Sequence, residues 1–309
     1  MELIYRAHLS STRQAARRAL QRARNGCIHA FQRVCGGLVY GMPAWLDRVC
    51  ETRTDRYAVA NVQQLVPTAA RYSPKSLWRQ KDYLEKSIYL HRAKHVRELR
   101  ACAQKLERAA AQIRLGGRPI IFAPLHIVSD VIPVLVVASM NLGCSHATVI
   151  SSHGQGVALG PFEADSLKGL NLNLTQLDPL TLNSGEFKAA IQAIKQDRTH
   201  FVVFPDILPE ITYRLNRKSM RTFDCSLFGR PAKLHSGLND IARLAGATAL
   251  FFCLIEQGGQ LDIDILASVP AEQLPEQGPR VIEAAIRQHA EQWLLWHSPS
   301  LFYFNPSEP

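Results

Sequence analysis

No two of the seven cysteines form a C-x-x-C pair; Cys27, Cys35, Cys50, Cys102, Cys144, Cys225 and Cys253 are scattered and odd in number. That argues against a zinc site and a disulfide framework, and for reduced thiols in a cytosolic setting. The first thirty residues lack the unbroken apolar core of a signal peptide, and no run approaches the ~20 apolar residues of a membrane span. A soluble or peripheral protein is expected. There is no G-x-G-x-x-G and no G-K-[ST], which disfavours nucleotide enzymes. There is no G-x-S-x-G either, so Ser152-His153-Gly154 is not a nucleophile elbow. Acidic residues are scarce, 26 against 36 Lys and Arg for a net charge of +10. Such an excess implies an anionic partner: nucleic acid, an acidic membrane surface, an acyl carrier protein or a phosphorylated substrate.

Hydrophobic residues make up 47% of the chain and charged residues 20%, which excludes disorder of the whole and suits a packed core. Residues 1 to about 40 carry Arg6, Arg13, Arg17, Arg18, Arg22, Arg24 and Arg33 against one acid, Glu2. Leu3, Ile4, Leu9, Leu20, Ile28 and Phe31 lie between them. As a helix this is a basic amphipathic segment suited to anionic lipid; a solvated face or a basic arm for nucleic acid are the alternatives. Residues 1–70 are thus expected to form a basic helical N-terminal segment, and residues 71–309 one α/β domain.

From Ser73 to Leu115 the apolar spacing predicts a long helix that stops at Gly116-Gly117. Lys81, Lys86, His91, Arg92, Lys94, His95, Arg97 and Arg100 form its expected wet face. Beyond it, strands are expected at Ile120–Phe122, Ala147–Ser151, Leu170–Leu177, His200–Phe204, Ala247–Ile255 and Leu261–Ala267. Helices are expected at Val131–Leu142, Gly185–Gln196 and His235–Ala245, and from Pro279 through Trp296. Alternating strands and helices indicate a mixed central sheet flanked by helices.

The richest stretch is Arg118-Pro-Ile-Ile-Phe-Ala-Pro-Leu-His-Ile-Val-Ser-Asp-Val-Ile-Pro133. It places His126 and Asp130 where a strand hands over to a helix, and ligands collect at the carboxyl ends of strands in open α/β sheets. A neutral imidazole there can take a proton from a hydroxyl, and a carboxylate on its other nitrogen fixes the tautomer. Four residues apart on a helix, the two side chains would touch. Asp130 is equally suited to capping a helix that begins at Val131.

Three blocks in order resemble the late acyltransferases of lipid A biosynthesis, within the lysophospholipid acyltransferase superfamily. They are His126-x-x-x-Asp130; Val202-Val-Phe-Pro-Asp206 followed by a basic stretch; and Leu227-Phe-Gly-Arg-Pro231 with Gly237 and Ile241-Ala-Arg-Leu-Ala-Gly-Ala247. The closing Gln292-Trp-Leu-Leu-Trp-His297 resembles that family's tryptophan-rich C-terminal helix, although Trp293 and Trp296 by themselves suit core anchors. The family places four residues between histidine and acid, whereas three stand here.

The resemblance implies an α/β acyltransferase fold and transfer of a fatty acyl group from acyl carrier protein to a hydroxyl of a lipid or glycolipid. It also implies no metal and no cofactor, and work at the cytoplasmic face of the bacterial inner membrane in lipopolysaccharide synthesis. His126 would be the general base and Asp130 its orienting partner. Asp206, Arg214, Arg217, Lys218 and Gly229 would meet the substrate, the three cations holding phosphate or the developing oxyanion. Two alternatives stand beside this: a relative altered in catalysis that binds membrane or carrier protein, and an acyltransferase of a carrier-dependent specialised pathway.

Overall fold

The computed structural model describes residues 52–69, 71–144, 146–151, 161–216 and 220–303. The arginine-rich stretch of the first forty residues, and with it the amphipathic expectation, lies outside them. The compact unit holding the described residues begins at Thr52. Its first helix, α1 (Arg53–Leu65), opens on a capping box in which the Thr52 side chain accepts from the Asp55 N–H and Asp55 answers on the Thr52 N–H. It turns Ala58, Val62 and Leu65 inward. Asn61 Nδ2 donates to the carbonyls of Trp296 and Ser298 at 2.7 and 2.9 Å, so this helix belongs to the α/β body.

The predicted long helix is two. α2 (Pro74–Tyr89) starts on the Ser73 cap with Pro74 in the first turn, and α3 (Ala93–Arg114) follows after a break at His91, whose φ is 53°. α3 buries His95, Leu99, Cys102, Ala103, Leu106 and Ala110 along one stripe, the spacing of an amphipathic helix. His95, assigned to the wet face from sequence, is therefore inside. The Ile120–Pro124 strand, β1, is buried at all five positions, as befits the middle of a parallel sheet covered on both faces.

The remaining elements follow in alternation: α4 (Ile132–Ala138), β2 (His146–Ile150), α5 (Pro161–Gly169), β3 (Asn173–Leu177), α6 (Ser184–Lys195), β4 (His200–Val202) and α7 (Pro209–Asn216). After them come β5 (Thr222–Leu227), β6 (Arg230–His235), α8 (Gly237–Ala245), β7 (Thr248–Gln257), β8 (Gln260–Pro270) and α9 (Leu274–Gln288). The main sheet has the order β3-β2-β4-β1-β7-β8. All neighbours are parallel except β7 and β8, which form a hairpin closed by Gly258 and Gly259 at φ 60° and 79°, a turn that needs left-handed backbone at both positions. The architecture is α/β with a mixed central sheet flanked by helices. No helix among the described residues is long and apolar enough to cross a membrane.

Two further expectations fail. β5 and β6 form a separate two-stranded sheet turning at Phe228-Gly229, where only a helix from His235 was foreseen. The last helix ends at Gln288 and contains Pro279 instead of opening on it. Past it, the chain runs through short 3-10 turns with Trp293 extended at φ −77°, ψ 128°. That extension lets Trp293 serve the site.

Candidate active site

His126 stands two residues beyond β1 and Asp206 four residues beyond β4, and these two strands are parallel neighbours. Both loops therefore open at the same carboxyl edge of the sheet. His126 Nδ1 lies 2.8 Å from Asp206 Oδ1. The other carboxylate oxygen accepts from the His126 backbone N–H at 2.9 Å and from Trp293 Nε1–H at 2.8 Å. Asp206 and Trp293 are fully buried, whereas a tenth of the imidazole side chain reaches solvent. With the carboxylate accepting at Nδ1, the neutral ring carries its proton there and Nε2 is the basic nitrogen. Among the described residues none bonds Nε2.

The backbone of the histidine loop is clamped from two sides. The Leu125 N–H donates to Phe252 of β7 at 3.0 Å. The Val128 N–H donates to the Gln292 carbonyl at 2.9 Å, and the His126 carbonyl accepts from the Leu294 N–H at 2.8 Å. The Gln292 side chain in turn pairs both ways with the backbone of Glu256 at the end of β7. Val128 has φ 66°, an uncommon and costly conformation for a β-branched residue, of the kind that collects at functional sites. Phe204 packs on the imidazole, ring centres 4.5 Å apart.

Burial disfavours the imidazolium of His126, but the charge of Asp206 and the hydrogen bond to it outweigh that, so the pKa is raised above the ordinary histidine value.

The orienting partner expected from sequence is not the one the fold supplies. His126 and Asp130 lie in the loop before α4, which begins only at Ile132, so the helical spacing that would bring them together is absent. Asp130 Oδ1 instead lies 2.9 Å from the Lys81 ammonium. Lys81 also holds Glu85, at 2.9 Å from Oε1. Nor does Asp130 cap the helix: Ser129 Oγ accepts from the N–H groups of Val131 and Ile132 at 3.0 Å each, and donates to Glu85 Oε1 at 2.6 Å.

Lys81 was assigned to the wet face of its helix, yet only 12% of its side chain is exposed. Its pKa is raised, burial opposing and the two carboxylates prevailing. Burial, helped by the charge of Asp130, lifts Glu85 to about 7 against the pull of Lys81. Asp130 falls below the usual carboxylate value because Lys81 overcomes the cost of its burial.

Asp206, assigned to substrate contact from sequence, is sealed in the interior and positions the imidazole. Arg214 is largely exposed and paired with Glu210. Glu210 in turn accepts from Ser298 and Ser300, so that cation is tied to the C-terminal segment. Gly229, at φ 71°, completes the two-residue β5–β6 turn, a structural need for glycine. Arg217 and Lys218 lie outside the described residues.

One cavity of about 250 Å³ is lined by Val59, Val62, Gln63, Pro67, Ala69 and Tyr72, and a smaller one opens beside Pro205, the residue before Asp206, with Phe223 and Leu234. Among the described residues, a thiol, a carboxylate and an imidazole converge at Cys253, Asp264 and His289.

Sequence reasoning missed Trp293 as a donor to Asp206 and the Lys81–Glu85–Ser129 group beside Asp130. The i,i+4 pairing of Lys81 and Glu85 was a usable signal for the latter. Compared with protein-family models and with curated proteins, the chain finds no match.

Proposed function

We propose that this protein is an acyltransferase that moves a fatty acyl group from an acyl carrier protein thioester to a hydroxyl of a lipid or glycolipid. The observation that carries the reading is the hydrogen-bonded His126–Asp206 pair at the carboxyl ends of adjacent parallel strands. Its two members come from two of the sequence blocks that resemble the late acyltransferases of lipid A biosynthesis. His126 Nε2 takes the acceptor hydroxyl's proton as the oxygen attacks the thioester carbonyl. The tetrahedral oxyanion collapses with loss of the carrier thiolate, and the imidazolium returns the proton to that sulfur. Asp206 holds Nδ1–H and offsets the transient positive charge. The net charge of +10 suits an acidic carrier and an anionic membrane surface, and the cytoplasmic face of the bacterial inner membrane is the proposed place of work.

The test is transfer of labelled acyl groups from acyl carrier protein, with acyl-CoA as the rival donor, to lysolipid and lipid A precursor acceptors. Wild type turns over and His126→Ala does not; full activity in the variant removes His126 from the mechanism. One observation favours a second reading, a relative that binds membrane or carrier without turnover: three residues stand between His126 and Asp130 where the family places four. Retention on anionic vesicles without transfer from any donor decides for that reading.

A further inference from the structure

On the far side of β7 from β1, three metal-ligating side chains meet that no spacing in the sequence announces. Cys253 on β7 and Asp264 on β8 are direct cross-strand partners, so their side chains share a face of the sheet. His289, at the end of α9, lies over them, its Nε2 3.1 Å from Asp264 Oδ2. The thiol sulfur, a carboxylate oxygen and an imidazole nitrogen all lie within 4.8 Å of one another. Ligand atoms on one tetrahedral zinc-type ion sit about 3.3–3.7 Å apart, given bonds of about 2.0–2.3 Å, so a small inward movement of side chains closes the set. The sulfur is completely buried, His289 is nine-tenths buried, and Asp264 is 30% exposed, leaving an approach from the carboxylate side. Gln288 Nε2 donates to the same Asp264 oxygen at 3.1 Å, the kind of outer contact that orients a ligating carboxylate.

We propose that Cys253, Asp264 and His289 bind a divalent transition-metal ion of zinc's class. A thiolate, an imidazole and a carboxylate select zinc or cobalt over magnesium or calcium. The thiol proton leaves to solvent as the sulfur–metal bond forms; without an ion, burial keeps that thiol neutral. Three protein ligands leave the fourth position to water. The site adjoins the frame of the histidine loop: the Gln292 N–H donates to the His289 carbonyl at 2.9 Å, and Gln292 and Trp293 are the residues that clamp the histidine loop and Asp206. A bound ion therefore braces the segment on which the His126 site rests.

The experiment is titration of the full chain, stripped with a chelator, with Co²⁺ and then Zn²⁺. Wild type is expected to bind one equivalent with a sulfur-to-cobalt charge-transfer band in the near ultraviolet, lost on zinc addition, and to melt at a higher temperature with zinc. Cys253→Ser loses the band, and His289→Gln and Asp264→Asn weaken binding at least about tenfold. Absence of the band in wild type, or its persistence in Cys253→Ser, overturns the site. Should Cys253→Ser not fold, the zinc-dependent rise in Tm decides through His289→Gln: loss supports the site and retention overturns it. None of these readouts depends on acyl transfer.

Discussion

Two carboxylates lie close enough to His126 for their charges to raise its pKa, and they are built in opposite ways. Asp206 is wholly buried and takes three donors, the imidazole N–H, the His126 backbone N–H and the Trp293 indole N–H. Asp130, with 39% of its side chain exposed, is matched by a cation that already serves Glu85. A buried carboxylate persists as an anion only where such donors replace water, and it then has one geometry. A rim carboxylate beside an ammonium is held by charge and depends less on direction. Fixing a tautomer requires the first kind of environment, so the orienting role goes to Asp206, and Asp130 contributes to the field around the ring.

The sharpest way to break that contrast is kinetic. Asp206→Asn, which keeps the shape but reverses the proton preference at Nδ1, is expected to lower kcat by ~10²–10⁴-fold, whereas Asp130→Asn changes it by less than about tenfold. Equal losses in an acyl-transfer assay would remove the distinction. Stability should separate the pair as well. Asp206→Ala strands three buried donors and should cost about 3–5 kcal/mol in denaturant unfolding, more than Asp130→Ala, which leaves Lys81 its second carboxylate, Glu85. Trp293→Phe keeps the ring in its cluster with Trp296 and Phe302 but deletes one donor to a charged acceptor, a loss of about 1.5–3 kcal/mol.

Two pH experiments refine the comparison. A base must be neutral to act, so activity should rise with pH through the raised pKa of His126, on the alkaline side of its ordinary 6.5. Asp206→Asn should move that limb to lower pH, and an unmoved limb would assign the titration to another group. For Glu85, the folded pKa of about 7 exceeds the ordinary 4.5. Between these values the folded state holds the proton more tightly, so the stabilising contribution is complete below about 4.5 and lost as pH rises through 7. Glu85→Gln should flatten that decline by about 1–3 kcal/mol. His126 contributes a decline of the same sign above 6.5, which remains in the variant and separates the two.

Much of the scaffold was legible because it depends on neighbours in sequence. Ile120–Ala123 is an unbroken apolar run, and it became the buried central strand; the strands near Ala147 and Ala247 and the helix near Gly185 followed from the same rule. The β5–β6 hairpin escaped because its strands are half-exposed and mix polar with apolar residues, and because Phe228-Gly229 is not the Asn-Gly or Asp-Gly that marks such turns. The tryptophans read as helical because their three-residue spacing fits a helix, yet Trp293 leaves helical backbone to pair with the histidine loop.

The amino-acid order alone determined the alternation of strands and helices, the excess of positive charge and the presence of a histidine at a strand's carboxyl end, since each follows from local periodicity or simple counting. Which acid faces the imidazole, and which thiol meets His289, only tertiary structure decided. The dyad joins residues 80 positions apart through the parallel pairing of β1 with β4, and the cysteine cluster comes from the β7–β8 register with α9 laid across it. Hydrogen bonds and metal ligation act over about 3 Å, a distance that spacing along the chain does not encode.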